Sequence, residues 1–193
     1  MGADAARRAA EAALARGPLG AALIVGLCGF LAPELRTGEP AIYESIRSNG
    51  SVLQPDRELR DLLGAALPGA TRVRAVQSAG IVWSSSVKAS LARAASAQAV
   101  DMESFTLIDC LRRAGVRVAV VRVGSDAAGD DLPDLSAAFD AQGQLRPPEL
   151  TRAMLRRPAA ALRLVRNGLR ALASLERSVE QICRYPEAGP AKP

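Results

Sequence analysis

The chain contains no histidine. That excludes a Ser-His-Asp or Cys-His catalytic group, and it excludes His-ligated zinc, iron or haem. Cysteine is scarce: Cys28, Cys110 and Cys183 are odd in number and far apart. They form neither a disulfide framework nor a metal spacing, which points to a reducing compartment and gives no metal site. Aromatics make up 3% of the residues, too few for the base-stacking platforms of single-strand binders. The longest apolar run, Ala21 to Ala32, falls well short of the roughly 20 residues a membrane span needs. No basic-then-apolar leader opens the chain, so the cytoplasm is the expected location. Lysine is nearly absent as well: 23 of the 25 basic residues are arginine, beside 38 alanines. This is the composition of a GC-rich coding sequence, so the net charge of +5 is weak evidence for a nucleic-acid partner, and none is expected. Acid–base chemistry is left to carboxylates, tyrosines, lysines or a bound water.

What remains is a chain of 193 residues, enough for one sound hydrophobic core. Asp4 to Arg16 reads as a helix ended by Gly17-Pro18. Ala21 to Leu27 is a continuous apolar strand of the kind buried on both faces. Strands are expected over Ala41–Ile46, Thr71–Val76 (running on toward Val82), Ala97–Val100 and Val116–Val123. Helices are expected over Pro55–Leu67, from Ser84–Ser86 through Ala94, and over Ser104–Ala114, where Gly115 stops the last. This alternation predicts an α/β fold with a sheet covered on both sides. Such sheets bind ligands beyond the C-terminal ends of their strands. Three turns fall at such ends: Gly26–Phe30, Asp101–Ser104 and Gly124–Asp126. The tail reads as a short helix, Pro148–Arg157, and a long one, Pro158–Ile182. Leu162, Val165, Leu169, Leu172, Leu175 and Val179 recur at helical steps, with arginines 163, 166, 170 and 177 on other faces. Such a helix either packs across the sheet or meets an anionic lipid surface or a partner. Tyr185 to Pro193 reads as a frayed end.

Two of the three turns carry carboxylates. A glutamate at 103 suits a vicinal diol such as the 2′ and 3′ hydroxyls of ribose, and Met102 beside it offers a flexible apolar contact for the sugar. The plainer alternative is that Asp101 or Glu103 serves the first turn of the following helix. Ser125-Asp126 supplies either an acid for a leaving group or a turn cap. The acidic stretch Gly124–Asp134 lacks EF-hand spacing. Gly26-Leu27-Cys28-Gly29 allows backbone to approach a flat ligand closely.

Val100-Asp101-Met102-Glu103-Ser104 resembles the ribose-binding signature of the purine nucleoside phosphorylase and nucleosidase superfamily, which includes the methylthioadenosine/S-adenosylhomocysteine nucleosidases. Arg122-Val123-Gly124-Ser125-Asp126-Ala127 resembles its strand-end Ser-Asp motif, 23 residues on from Glu103 to Asp126. Val25 to Glu39 resembles its glycine-rich turn, and Lys88–Leu91 the helix ahead of the ribose motif. The resemblance implies a three-layer α/β fold with a mixed sheet flanked by helices, and cleavage of the N-glycosidic bond of an adenine-type nucleoside. It implies roles for single residues. Glu103 would hold the ribose hydroxyls and Met102 would line the sugar. Asp126 would protonate or hydrogen-bond the purine at N7, supported by Ser125. Cys28 and Gly29 would lie against the base, with Ile81, Val82 and the neighbouring Trp83 in the purine-contacting segment. No cofactor is implied beyond phosphate as an alternative co-substrate to water. The family's habit of assembly implies a homo-oligomer. Leu132-Pro133, Phe139–Gln144 and Leu155–Pro158 before a Leu/Arg helix resemble the hopanoid-pathway branch, which implies adenosylhopane as substrate and peripheral membrane contact through the tail.

The sequence also departs from that pattern. It opens at Met1-Gly2-Ala3-Asp4, on the helix that follows the family's first strand, so a shortened sheet with an unpaired edge near Ala21–Leu27 is expected. Phe30 stands where the family has glycine, which is expected to narrow the base pocket. The expected organisation is a nucleoside phosphorylase-like domain over 1–146, a helical extension over 147–183 and a disordered tail over 184–193. A catalytically impaired nucleoside-binding module, or a membrane-associated structural protein of the same fold, is the alternative to an active enzyme.

Overall fold

The computed structural model describes residues 2–135, 138 and 146–185. The expected motif at 139–144 and the frayed end beyond Tyr185 lie outside these residues. The elements run α1 (Ala3–Leu14), β1 (Ala21–Phe30), β2 (Pro40–Ser48), β3 (Ser51–Leu53), α2 (Arg57–Ala66), β4 (Thr71–Gln77), α3 (Ser85–Ala95), β5 (Ala99–Asp101), α4 (Ser104–Arg113), β6 (Arg117–Asp126), α5 (Pro147–Arg156) and α6 (Pro158–Arg184).

The sheet is mixed, in the order β3-β2-β4-β5-β1-β6, and a further antiparallel pairing of β2 with β6 closes it on itself. β1 runs parallel to β6, and β4 parallel to β2 and β5. β5 meets β1 antiparallel, and only at Gly29 and Phe30. The rest of that edge of β1 has no strand partner among the described residues, as the sequence led us to expect.

Alternation along β6 builds the layers. Val118 and Val120 enter a core with Ile24, Cys28, Tyr43 and Ile108, closed by Ala10 of α1 and Leu111 of α4. Ala119 and Val121 face the other way, against Ile42, Leu63 and Leu67 under α2, and Ile182 of α6. Asp56 caps α2 by accepting the Leu59 N–H at 3.0 Å. Gly115, at φ +78°, ends α4 as the sequence predicted.

Several expectations need correction. Gly26–Phe30 is not a turn but the second half of β1, and Gly124–Asp126 still belongs to β6. β4 stops at Gln77 and does not reach Val82, because the Ser78 hydroxyl donates to the Gly80 carbonyl (2.7 Å) and turns the chain out of the sheet. The apolar stripe of α6 does not face the sheet: Leu162 is 72% exposed and Leu169 64%. The helix packs through Ala160, Ala161, Ala171, Ser174 and Ser178, small residues that allow close approach, and Ser174 donates to the Gly38 carbonyl at 2.7 Å.

Phe30 also differs from expectation. It is fully buried and forms no part of the cavity wall described below. Its ring fills the space over Gly124, where a Cβ would lie 2.1 Å from Phe30 Cε2. Overpacking of this kind costs about 1–3 kcal/mol. Gly124→Ala is therefore expected to melt about 2–12 °C lower than the parent chain in a circular-dichroism scan. An unchanged melting point would show that the ring moves aside freely.

Candidate functional site

One cavity of about 470 Å³ opens beside the unpaired edge of β1, within the roughly 300–1,000 Å³ typical of small-molecule sites. Its wall holds eight of the residues the sequence nominated: Cys28 and Gly29 from β1, Ile81 and Val82 from the segment after β4, Met102 and Glu103 from the β5–α4 junction, and Ser125 and Asp126 from β6. Trp83 is not among them; it lines a separate cleft of about 320 Å³ with Glu149 and Arg152 of α5.

Strand pairing brings these residues together. β1 and β6 run parallel with Cys28 opposite Gly124, and the register then slips so that Gly29 pairs with Asp126. Ser125 is the extra residue of this bulge. In a regular strand, neighbours point to opposite faces. Here Ser125 and Asp126 both reach the cavity, the re-aiming that bulges provide. The antiparallel contact of β5 with Gly29 and Phe30 then places the end of β5 beside Cys28. Gly29 keeps this corner open, since a Cβ there would sit 3.0 Å from Asp126 Oδ2 and 3.3 Å from Val100.

The two junction carboxylates divide the labour. Asp101 Oδ1 accepts the backbone N–H groups of Glu103 and Ser104, both at 2.9 Å, and Oδ2 accepts the Ser104 hydroxyl at 2.5 Å. Asp101 thus holds the first turn of α4, while Glu103 makes no side-chain cap bond. Glu103 faces Arg122 at 3.6 Å, with its carboxylate partly open to the cavity.

Arg122 was missed as a site residue. It is 4% exposed and packs into the space that Gly26 leaves, where a Cβ would lie 2.1 Å from Arg122 Nη1. It donates to Ser104 Oγ at 2.8 Å and lies 3.5 Å from Asp101. Burial alone pulls a guanidinium pKa down, but Asp101, Tyr43 and Glu103 outweigh it and the net shift is upward. Burial, then Asp101, pushes both the Cys28 thiol and the Tyr43 hydroxyl up. Cys28 is therefore a packing surface and not a nucleophile.

Lys88 was missed too. The sequence placed it in an ordinary helix, yet it is fully buried. Its ammonium donates to Asp126 Oδ2, to the Ala127 carbonyl at 2.8 Å and to the Asp130 carbonyl at 3.1 Å. Ser125 Oγ lies 2.7 Å from the other Asp126 oxygen and 3.1 Å from the Cys28 carbonyl. The cavity thus has an apolar side (Met102, Ile81, Val82, Leu135, Leu164), a carboxylate end at Glu103 and a second end at Asp126, which Lys88 backs from behind the wall. No group of His, Cys, Asp and Glu among the described residues has the makings of a metal site. No described helix is long and apolar enough to cross a membrane.

Comparison with known proteins bears on the fold. Futalosine hydrolase of Helicobacter pylori strain 26695 superposes with a TM-score of 0.66 at 14% identity, over 94% of this chain and 76% of that one. The 5′-methylthioadenosine/S-adenosyl homocysteine nucleosidase of Campylobacter jejuni gives 0.67 at 15%, over 95% and 77%. The Helicobacter pylori nucleosidase with butyl-thio-DADMe-Immucillin-A gives 0.65 at 14%, over 94% and 77%. At such identities the likeness is one of fold. No curated protein sequence matches the chain. The family model of the phosphorylase superfamily matches residues 1–156. With a match over most of its length, the chain belongs to the phosphorylase superfamily.

Proposed function

We propose that the chain hydrolyses the N-glycosidic bond of an adenine-type purine nucleoside. The observation that carries this reading is the placing of Glu103 and Asp126 on the wall of one cavity that apolar side chains also line. Breaking the bond leaves positive charge on the ribose and negative charge on the departing base. A carboxylate at the sugar and a proton source at the base stabilise opposite ends of that transition state. Glu103 holds the ribose hydroxyls over Met102. Cys28, Gly29, Ile81 and Val82 contact the base, and Asp126, oriented by Ser125, meets N7.

Charge balance favours water over phosphate as the nucleophile. Arg122 is the one cation on the described cavity wall, and Asp101 and Glu103 already neutralise it. Among the described residues no spare positive charge on this wall awaits a phosphate anion. The test is base release from methylthioadenosine, S-adenosylhomocysteine, adenosine and inosine, with and without phosphate. Adenine release indifferent to phosphate is expected. Adenine binding without release from any of these would leave a nucleoside-binding module instead.

A finer reading is a lipid-linked adenine nucleoside such as adenosylhopane. The observation favouring it lies on α6. Leu164 lines the cavity, while Leu162, Val165, Leu169 and Leu172 form an exposed apolar stripe with Arg166 and Arg170 beside it. A stripe of this kind suits an anionic bilayer surface. Co-sedimentation with anionic vesicles, lost on replacing Leu162 and Leu169 by Ser, tests it; self-association through that face, read by light scattering, is the competing outcome.

A further inference from the structure

Asp126 presents a chemical difficulty. An acid for the base must carry a proton, but Asp126 Oδ2 accepts from the Lys88 ammonium, while Ser125 Oγ lies 2.7 Å from Oδ1. In this ion pair the hydrogen-bonding proton is the ammonium's. Lys88 is closed off from solvent and forms no part of the cavity wall, and each of its three N–H bonds has an acceptor. Burying a charged pair is costly, and packing alone does not require it. The residue type is informative too. The chain uses arginine at 23 of 25 basic positions, and Lys88 is one of its two lysines. Arginine does not give up a proton in proteins, whereas a buried lysine does.

We propose that Lys88 is the proton reservoir for the departing base, with Asp126 as the conduit. The proposal rests on the nucleosidase reading above. As the C1′–N9 bond breaks, its electron pair stays with the base. N7 takes a proton from the Asp126 carboxyl as Lys88 Nζ passes one to that carboxyl. Water adds its hydroxide to C1′ and releases its other proton to solvent. The pair finishes as a neutral amine and a carboxylate, one proton poorer, and solvent restores the proton after product leaves. Lys88 touches no substrate and is a positioning and relay residue. The charged groups around it are Asp126 on β6, Asp130 and Asp131 in the segment after β6, and Arg163 of α6, which lies 3.8 Å from Asp130. Asp131 accepts the Ser85 N–H at the start of α3, and this bond holds its carboxyl below the usual range. The uncharged Cys28 thiol of β1 lies near Asp126.

The experiment is the pH dependence of adenine release by the full chain from whichever nucleoside it cleaves fastest. With Lys88 as reservoir, the rate is expected to stay level from about pH 6 to about pH 8. A rate falling about tenfold per pH unit over that range in the parent chain would mean that a lone carboxyl gives the proton, and would overturn the proposal. That comparison needs no variant and so no assumption about folding. Lys88→Met is expected to impose that fall, and Lys88→Arg, which keeps the charge but withholds the proton, is expected to lose release at neutral pH without losing adenine binding by calorimetry. Full activity in Lys88→Arg would overturn the proposal and leave Lys88 a structural counter-charge. Absence of base release by the parent chain at every pH would instead defeat the nucleosidase reading, and this inference with it.

Discussion

Glu103→Gln is expected to lower kcat for base release at least about a hundredfold while leaving adenine binding intact, and Asp126→Asn is expected to do the same. The reasoning starts from what the two side chains are not doing. Asp101, not Glu103, holds the first turn of α4. Glutamine at 103 therefore keeps the size and most of the hydrogen bonding of the native residue without disturbing the helix. On the function proposed above, what it removes is the negative charge opposite a ribose that becomes cationic only in the transition state. Such a loss falls on kcat more than on KM, since the ground-state sugar is neutral. At Asp126 the argument is the mirror image: asparagine cannot relay a proton, and the base must leave as an anion. Steady-state kinetics on both variants, with calorimetry using free adenine, check this. An unchanged kcat in either would remove that residue from the mechanism.

The legible parts of this site were the parts written locally. A strand-end carboxylate followed by a helix, and a Ser-Asp pair after the most apolar strand, can be read from neighbours in sequence. Lys88 and Arg122 can be read only through register. Arg122 shares the face of Val118 and Val120, so a charge stands in the inward row of an apolar strand. Lys88 stands in the helical row of Leu91, Ala92 and Ala95, the residues that pack α3 onto the sheet. Both were visible as breaks in an apolar pattern, and a lysine in so arginine-rich a chain was a second mark. β3 was missed although Asn49-Gly50, both at positive φ, is a strong two-residue hairpin signal. The α6 stripe was misread for a different reason. Periodicity identifies the bulky face of a helix, not which face packs, and here the small residues take the sheet side. The antiparallel crossing of β5 onto Gly29 and Phe30, which joins the two carboxylate corners, has no local signature at all.

Arg122→Met is expected to destabilise the fold by about 3–5 kcal/mol, the cost of breaking a buried ion pair by removing one partner. Methionine matches the volume of the arginine stem, so the loss comes from the carboxylates left behind. The Asp101 side chain is 3% exposed and loses its cation, keeping as donors the Glu103 and Ser104 N–H groups and the Ser104 hydroxyl. Glu103 loses the cation 3.6 Å away that holds it at the cavity wall. The same substitution therefore damages stability and the sugar end of the site together, which the exposed ion pair of Arg117 with Glu58 cannot do. A double variant separates the two effects. Adding Asp101→Asn removes the more deeply buried of the unpaired charges while keeping an oxygen to accept from α4, so it is expected to recover part of the stability but none of the activity. Urea denaturation of the parent, the single and the double variant measures the first effect and base release the second. A single variant as stable as the parent would show that Asp101 and Glu103 need no cation, and that the centre of this site is held by α4 alone.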